Sequence, residues 1–201
     1  MYWPTPFWIS LAAIVYQKLG NALSGGTHMD ANTKRHLLLT GMMGSGKSTV
    51  GPGVAKALKW DFYDLDAEIE RTAGKSVAEI FSQEGEGYFR RLEYECLESL
   101  LGSPRPSVIS LGGGTLLDER SRAKVRDHWV VWLDLAPEEL WRRVQKTQRP
   151  LAQKDFEAFR ALYAARRPVY RETQTFYLRC DHLDPDQIVH RILPLVQEGA
   201  S

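Results

Sequence analysis

The feature that most constrains this chain is a glycine-rich stretch from Gly41 to Thr49, which matches the pattern G-x-x-x-x-G-K-[ST] in full. A short apolar run precedes it, and apolar residues at helical spacing follow it from Val50 to Leu58. A strand, a glycine-rich loop and a helix in this order turn backbone N–H groups and a helix N-terminus towards one point, which favours anions. Lys47 supplies a positive charge for phosphates and Ser48 a hydroxyl for Mg²⁺. The stretch therefore predicts a site for a nucleoside triphosphate.

The rest of the chain predicts an α/β fold. Strand and helix patterns alternate from Arg35 onward, which indicates a central parallel sheet with helices on both faces. A capping box at Ser76–Glu79 predicts a helix start, and Pro168 is predicted to bend or end the helix that begins near Phe156. Residues 146–154 lack periodicity and are predicted to form a loop. The predicted strands are Leu37–Leu39, Trp60–Asp64, Val108–Leu111, Trp129–Leu133 and Phe176–Leu178.

Composition narrows the class of protein. The chain has 201 residues, of which 43% are hydrophobic, and this is enough for one domain with a substantial core. A net charge of +1 gives no broad field for nucleic acid. Cys96 and Cys180 form no Cys-x-x-Cys pair and have no histidine pair beside them, which argues against structural zinc. We expect a cytoplasmic protein in a reducing compartment.

The first thirty residues differ in character from the rest. An apolar run of ten residues, Phe7–Tyr16, is too short to span a bilayer comfortably, and no lysine or arginine precedes it as in a signal peptide. Ser24–Thr27 is typical of a flexible link. We interpret residues 1–30 as an N-terminal extension outside the catalytic fold and residues 31–201 as one domain. A weak membrane-surface anchor or a targeting segment is the alternative.

Two groups of residues follow predicted strands and carry chemistry. Asp64 and Asp66 lie where the second strand ends, and ligands bind at the carboxyl ends of parallel strands. One carboxylate could serve Mg²⁺ and the other a substrate hydroxyl, although Asp-x-Asp is also common as a turn and helix cap. Gly112–Gly114 follow Ser110 in the third strand and allow backbone to approach a ligand closely, or form a flexible connection.

Three arginines are candidates for binding anions. Arg90 stands at the start of a helix, where the dipole favours anions rather than cations. Arg149 lies in the predicted loop, and Arg166 precedes Arg167 and Pro168. Arginine is the side chain for bidentate capture of a carboxylate or phosphate, although any single one is more often a solvated surface residue.

Taken together and in order, these residues resemble the shikimate kinase family. The similarity extends from about Arg35 to the C-terminal helix and leaves the first 34 residues outside it. The motifs that carry it are Gly41–Thr49, Asp64-Leu65-Asp66, Gly85-Glu86 with Phe89-Arg90-Arg91, Ser110–Gly114, Arg149-Pro150-Leu151 and Arg166–Tyr170.

The resemblance implies a three-layer α/β/α P-loop kinase fold with a mobile lid, and transfer of the γ-phosphoryl group of ATP to the 3-hydroxyl of shikimate. It implies that Asp66 contacts the shikimate hydroxyls, that Arg90 and Arg166 bind the carboxylate, and that Gly112, Gly113 and Gly114 line the ring. The implied metal site for Mg²⁺ is Ser48 with Asp64, and the implied catalytic residues are Lys47, Asp66 and Arg149. The implied ATP-binding residues are Gly44, Ser45, Gly46, Lys47, Ser48, Thr49, Arg142 beside the adenine, and Arg149 in the lid.

The resemblance also sets expectations for partners and departures. We expect a monomer whose partners are shikimate and ATP, with neither nucleic acid nor membrane. The lid of this family usually reads Arg-Pro-Leu-Leu, but here Ala152 follows Leu151, which predicts looser lid packing. Near the last strand some members carry an arginine over the adenine, and residues 180–185 offer none.

Two alternatives differ in what they require. A gluconate kinase of the same fold would share the phosphate loop, but has less need of paired arginines facing a carboxylate or of the Gly112–Gly114 run. A non-catalytic nucleotide-binding relative should have lost Asp66, Arg90 or Arg149, and all three are present.

Overall fold

A computed structural model describes residues 36–145 and 155–199 of the chain. Its centre is a five-stranded sheet in the order β2-β3-β1-β4-β5, and every neighbouring pair of strands is parallel. The strands are β1 (Leu37–Thr40), β2 (Asp61–Asp64), β3 (Ser107–Ser110), β4 (Trp129–Asp134) and β5 (Phe176–Arg179).

Helices connect the strands on both faces of the sheet, as parallel pairing requires. They are α1 (Lys47–Leu58), α2 (Leu65–Ala73), α3 (Val77–Gln83), α4 (Gly85–Leu101), α5 (Glu119–Val125), α6 (Pro137–Val144), α7 (Phe156–Thr173) and α8 (Pro185–Gly199), with a 3₁₀ turn at Thr115–Leu117. This is the three-layer α/β/α arrangement predicted from the sequence.

The core consists of two clusters, one on each face of the sheet, because side chains along each buried strand alternate between the faces. Leu37 and Leu39 of β1 pack with residues of α1, α6, α7 and α8 on one face of the sheet. Leu38 packs with residues of α2, α3, α4 and α5 on the other face. Successive side chains of a strand point to opposite faces, so three consecutive leucines of β1 supply both clusters.

The ends of the helices follow the local signals in the sequence. The Ser76 side chain accepts from the Glu79 backbone N–H while the Glu79 carboxylate accepts from the Ser76 N–H, so the predicted capping box is confirmed. Pro137 occupies the first turn of α6, where its missing N–H costs nothing.

Of the two predicted effects of Pro168, a bend or an end of the helix, the second was wrong, because α7 continues to Thr173. The residues after Pro168 are held by tertiary contacts: Tyr170 is 1% exposed, and its hydroxyl donates to the Gly113 carbonyl over 2.5 Å. Such contacts outweigh the hydrogen bond that a proline removes from a helix.

Within 36–145 and 155–199, no helix is long and apolar enough to cross a bilayer. The predicted extension 1–30 and the predicted loop 146–154 lie outside the described residues.

Candidate active site

The glycine-rich loop closes between β1 and α1 in the way the motif predicts. Gly41 has a φ of +141°, and a Cβ atom there would lie 2.4 Å from the Leu133 carbonyl oxygen, so only glycine fits. Gly46 caps α1 with a left-handed φ of +92°. Lys47 is 7% exposed, and its Nζ donates to the carbonyl oxygens of Gly41 and Met42 at 2.9 and 3.2 Å. The ammonium group is therefore held against the loop that it serves.

Three oxygen-bearing side chains meet at the end of the loop. The Ser48 hydroxyl donates to Asp64 Oδ2 over 2.5 Å and lies 3.4 Å from Ser110 Oγ. Asp64 Oδ1 accepts from the backbone N–H of Asp66 at 3.1 Å and caps α2. Three neighbouring elements, α1, β2 and β3, thus place hard oxygen donors at one point, which suits Mg²⁺. Among the described residues no group of three histidine, cysteine or acidic side chains could hold a metal by itself.

The side chains predicted to contact the phosphorylated substrate converge at the glycine turn Gly112–Gly114. A Cβ on Gly112 would lie 2.9 Å from Glu93 Oε1 and 3.2 Å from Asp66 Oδ1. One on Gly113 would lie 3.3 Å from Arg166 Nη1, and one on Gly114 would lie 2.9 Å from Arg90 Nη2. Residues far apart in the sequence therefore converge on three positions that have no side chain.

Two clefts open at this edge of the sheet and share a wall. The loop cleft is lined by the phosphate loop, Ser110 and Arg143. The glycine-turn cleft is lined by Phe81, Phe89, Arg90, Glu93, Gly114 and Arg166, among others. Asp64, Asp66, Gly112 and Gly113 line both. A group bound in one cleft is thus adjacent to a group bound in the other.

Arg90 is held by two carboxylates on its own helix. Its Nη1 donates to Glu93 Oε2 at 2.7 Å, and its Nη2 lies 3.2 Å from Glu86 Oε1. Glu93 is 2% exposed and also accepts from the Thr115 hydroxyl at 2.6 Å. Burial raises the pKa of Glu93, although Thr115 and Arg90 oppose that shift. Glu93 was not among the predicted site residues, since a glutamate three residues after an arginine is also the pattern of a solvated helix face.

Arg166 has a different environment. It is 7% exposed, and its Nη1 contacts Met42 Sδ at 3.8 Å. Its Nε is buried and has no hydrogen-bond partner among the residues that the structure describes. Within 36–145 and 155–199 no ion pair joins Arg166 to a carboxylate. A buried cation without an anion is costly, so Arg166 beside Gly113 is a candidate for binding an external anion.

The two arginines at the end of α6 share one carboxylate. Arg142 donates to both oxygens of Glu139 at 2.8 Å and its side chain is 60% exposed. Arg143 donates through Nε to Glu139 Oε1 at 2.6 Å and lines the loop cleft, which Arg142 does not. Arg142 is the residue predicted from the sequence to lie beside the adenine, and this role stays a prediction; Arg143 was not among the predicted site residues. Arg149, the predicted lid arginine, lies outside the described residues.

The fold and these clefts define a class of protein: a P-loop kinase that phosphorylates a small molecule. A family model for shikimate kinase matches residues 43–197. The shikimate kinase of Corynebacterium efficiens is 41% identical over 160 residues, which cover 78% of this chain and 94% of that protein. The chain therefore belongs to the shikimate kinase family, and it is a phosphotransferase.

Solved structures agree with this assignment. Shikimate kinase from Acinetobacter baumannii, solved in complex with shikimate, matches with a TM-score of 0.78 and 32% identity, covering 83% of this chain and 95% of that one. A gluconokinase from Sinorhizobium meliloti matches with a TM-score of 0.55 and 18% identity, covering 83% and 94%. That second likeness is one of fold alone.

Proposed function

We propose that this enzyme transfers the γ-phosphoryl group of ATP to the 3-hydroxyl of shikimate, with nucleotide in the loop cleft and shikimate in the glycine-turn cleft. ATP-dependent phosphorylation of shikimate is the reaction of the family to which the chain belongs. The observation that supports this assignment of the clefts is their common wall. Asp66, Gly112 and Gly113 line both, so a donor phosphate and an acceptor hydroxyl would meet there.

The carboxylate of shikimate would lie between two guanidinium groups. Arg166 is buried without an anion among the described residues, and Arg90 reaches Gly114 from the other side of the turn. Gluconate also carries a carboxylate, but it is an open chain, whereas shikimate is a ring with a carbon face. The apolar rings of Phe81 and Phe89 line the same cleft and suit the carbon face of that ring.

Asp66 would orient the attacking hydroxyl. Phosphoryl transfer passes through a loose transition state in most analyses, so little bond formation to the nucleophile precedes it and a strong base is unnecessary. Asp66 on the common wall can accept the hydroxyl hydrogen bond and take the proton late. Lys47 would neutralise charge on the β- and γ-phosphates, and Arg149 would add a second positive charge when the lid closes.

The residues fit Mg²⁺ as the resident metal. Ser48 and Asp64 would hold it directly or through water, with Ser110 as a further oxygen 3.4 Å from the Ser48 hydroxyl. A magnesium ion held there would supply positive charge that offsets the negative charge of the phosphates. The short hydrogen bond between Ser48 and Asp64 already places these two oxygens together.

The remaining expectations concern the chain as a whole. We propose that residues 1–30 lie outside the catalytic fold, that the enzyme is a monomer, and that it works in the cytoplasm. The family match begins at residue 43, after that segment, and Cys96 and Cys180 are both buried free thiols, as a reducing compartment allows.

A coupled assay of ADP release tests the function. Shikimate, gluconate and no acceptor are compared at saturating ATP and Mg²⁺, and the phosphorylated position is read from the ³¹P–¹H couplings of the product. We expect release that depends on shikimate and a product carrying phosphate on the 3-hydroxyl. Faster turnover with gluconate, or equal release without an acceptor, would contradict the assignment.

A further inference from the structure

A third cleft lies apart from the two clefts of the candidate active site. It opens between the outer side of α7, the first turn of α6 and the end of β5, and its volume is about 720 Å³. That volume is in the range of sites for small molecules. Among the residues that the structure describes, those lining this cleft are different from those lining the loop cleft and the glycine-turn cleft.

The lining of this third cleft is strongly cationic. One acidic residue, Glu172, lines it among the described residues. The arginines that line it, which give it the name arginine cleft used below, are Arg160, Arg167, Arg171 and Arg179. Three of them lie on one face of α7, because residues 160, 167 and 171 are separated by about two turns and then one turn of helix.

Two of these arginines have carboxylate partners. Arg160 Nη2 lies 2.8 Å from Glu157 Oε2, and Arg179 pairs with Asp181 and, at 3.1 Å, with Asp134. Asp134 is 1% exposed and also accepts hydrogen bonds from two tyrosine hydroxyls at 2.6 and 3.0 Å. Its oxygens are therefore engaged, and these carboxylates supply no anion to the other two arginines.

Arg167 and Arg171 carry the excess positive charge. Within 36–145 and 155–199 neither forms an ion pair. They are four residues apart on α7, where side chains are neighbours and like charges are unfavourable. The Arg167 guanidinium lies 5.8 Å from the centre of the Trp132 ring, and its buried Nε has no hydrogen-bond partner in the described part of the chain. Two neighbouring cations thus face a cleft in which Glu172 offers one negative charge.

Apolar surface lines the same cleft. Pro137, Tyr163, Ala164 and Pro168 contribute it. The Tyr163 hydroxyl donates to Asp134 at 2.6 Å, so the ring is the part of this side chain that a ligand could contact. A cleft that combines apolar lining with a few charged donors has the composition of a small-molecule site.

We propose that the arginine cleft is an additional binding site, for a small amphipathic anion with one carboxylate or phosphate group on an apolar body. Arg167 and Arg171 bind the anionic group, because guanidinium donors match the geometry of both oxyanions. The apolar body packs against Tyr163 and the prolines. Arg166 lines the glycine-turn cleft and Arg167 the arginine cleft, so adjacent residues of α7 serve different sites.

Calorimetry with phenyl phosphate and with benzoate tests this site in the 201-residue chain. Each probe is titrated into enzyme saturated with ADP, Mg²⁺ and shikimate, which keeps the other two clefts occupied. We expect one equivalent of at least one probe to bind, and the tighter probe identifies the anionic group. Failure of both probes to bind saturably would overturn the proposal.

Variants locate the bound probe. Arg167→Met and Arg171→Met should each weaken it by about tenfold or more, because a charge-assisted hydrogen bond is lost. Arg120→Met is the matched control, since it removes an exposed arginine of α5 that pairs with Asp118, and it should change the affinity by less than about twofold. Equal affinity in wild type and Arg171→Met would overturn the proposal.

Two features keep this comparison decisive. Arg167 contacts the buried Trp132, whereas Arg171 is exposed, so Arg171→Met carries the test if Arg167→Met does not fold by circular dichroism. The variants also separate this proposal from the proposed function. If shikimate were not the acceptor and left its cleft empty, a probe bound there would be unaffected by Arg171→Met.

Smaller probes test the two parts of the ligand. Inorganic phosphate and acetate carry only the anionic group, and benzyl alcohol carries the ring without a charge. Each should bind at least about tenfold more weakly than the tighter of the two main probes, because it loses either the apolar contact or the charge-assisted hydrogen bonds. Equal affinity for phosphate or acetate would overturn the role of the apolar lining, and equal affinity for benzyl alcohol would overturn the role of the arginines.

Discussion

Replacing Arg166 by methionine should make the protein more stable and the enzyme much worse. Arg166 is 7% exposed, and its buried Nε has no hydrogen-bond partner in the described part of the chain. A buried charge without a partner costs several kcal/mol, and Arg166 retains some solvent contact, so Arg166→Met should raise the free energy of unfolding by about 1–3 kcal/mol. For a domain of this size the melting temperature should rise by roughly 3–10 °C.

The same change removes one of the two proposed partners of the shikimate carboxylate. A hydrogen bond to a charged group contributes about 1.5–3 kcal/mol, so the KM of shikimate should rise by about 10- to 150-fold. The KM of ATP should change little, because Arg166 lines the glycine-turn cleft and not the loop cleft. The assays are thermal unfolding without ligands and ADP release with each substrate varied in turn.

Arg90→Met is the matched variant. Arg90 also faces the proposed carboxylate, but it is paired with Glu86 and with the buried Glu93. Its loss should raise the KM of shikimate similarly and yet lower the free energy of unfolding by about 2 kcal/mol, since Glu93 loses its cation; protonation of Glu93 limits the cost. Opposite shifts in melting temperature are therefore expected. If both variants were destabilised equally, Arg166 would be neutralised by the protein, and our account of it as an unfilled anion site would be wrong.

Three other predictions test the site and the core. Asp66→Asn should cut kcat severely at any Mg²⁺ concentration, whereas the defect of Asp64→Asn should ease as Mg²⁺ is raised; the reverse pattern would exchange their roles. Burial lowers the pKa of His36 from 6.5, so the folded state disfavours the charged ring and stability should fall below pH 6.5, by at most about 1.4 kcal/mol per pH unit. Urea unfolding at pH 7.5 and 5.5 checks this, and His36→Gln should flatten the difference. Gly51→Ala should cost about 1–3 kcal/mol in urea unfolding, because its Cβ would lie 2.2 Å from the Phe62 ring; an unchanged midpoint would mean that this contact relaxes freely.

Most of the fold could be predicted because its signals are local. The glycine-rich loop, the apolar strands and the capping box at Ser76 each depend on a few consecutive residues, and the structure contains them where the sequence places them. Pro168 shows the limit of local signals. A proline ordinarily interrupts a helix, but the hydrogen bond between Tyr170 and Gly113 spans 57 residues, and no periodicity reveals such a contact.

In the candidate site, too, residues in local motifs could be predicted and residues that depend on tertiary contacts could not. Residues in contiguous motifs, such as Lys47 and the glycine turn, could be selected from the sequence. Glu93 could not, because its importance comes from burial against Thr115, which is 22 residues away. Arg143 could not be preferred over Arg142, because the choice depends on which of two adjacent side chains on a helix faces the loop. The roles of all these site residues stay predictions until the variants are measured.

The division of the core by the sheet bears on how such an enzyme could change its acceptor. The cluster on one face supports the helices beside the phosphate loop, and the cluster on the other supports α2 to α5, which carry Asp66 and Arg90. Substitutions on the second face could therefore change the shape of the glycine-turn cleft while the phosphate loop keeps its packing, because stability effects at separated sites are nearly additive. Helix α7 limits that freedom. Phe159 of α7 packs in the first cluster, and Val169, three residues beyond Arg166, packs against the second. Substitutions in α7 that change the acceptor substrate would therefore have to preserve packing on both faces of the sheet.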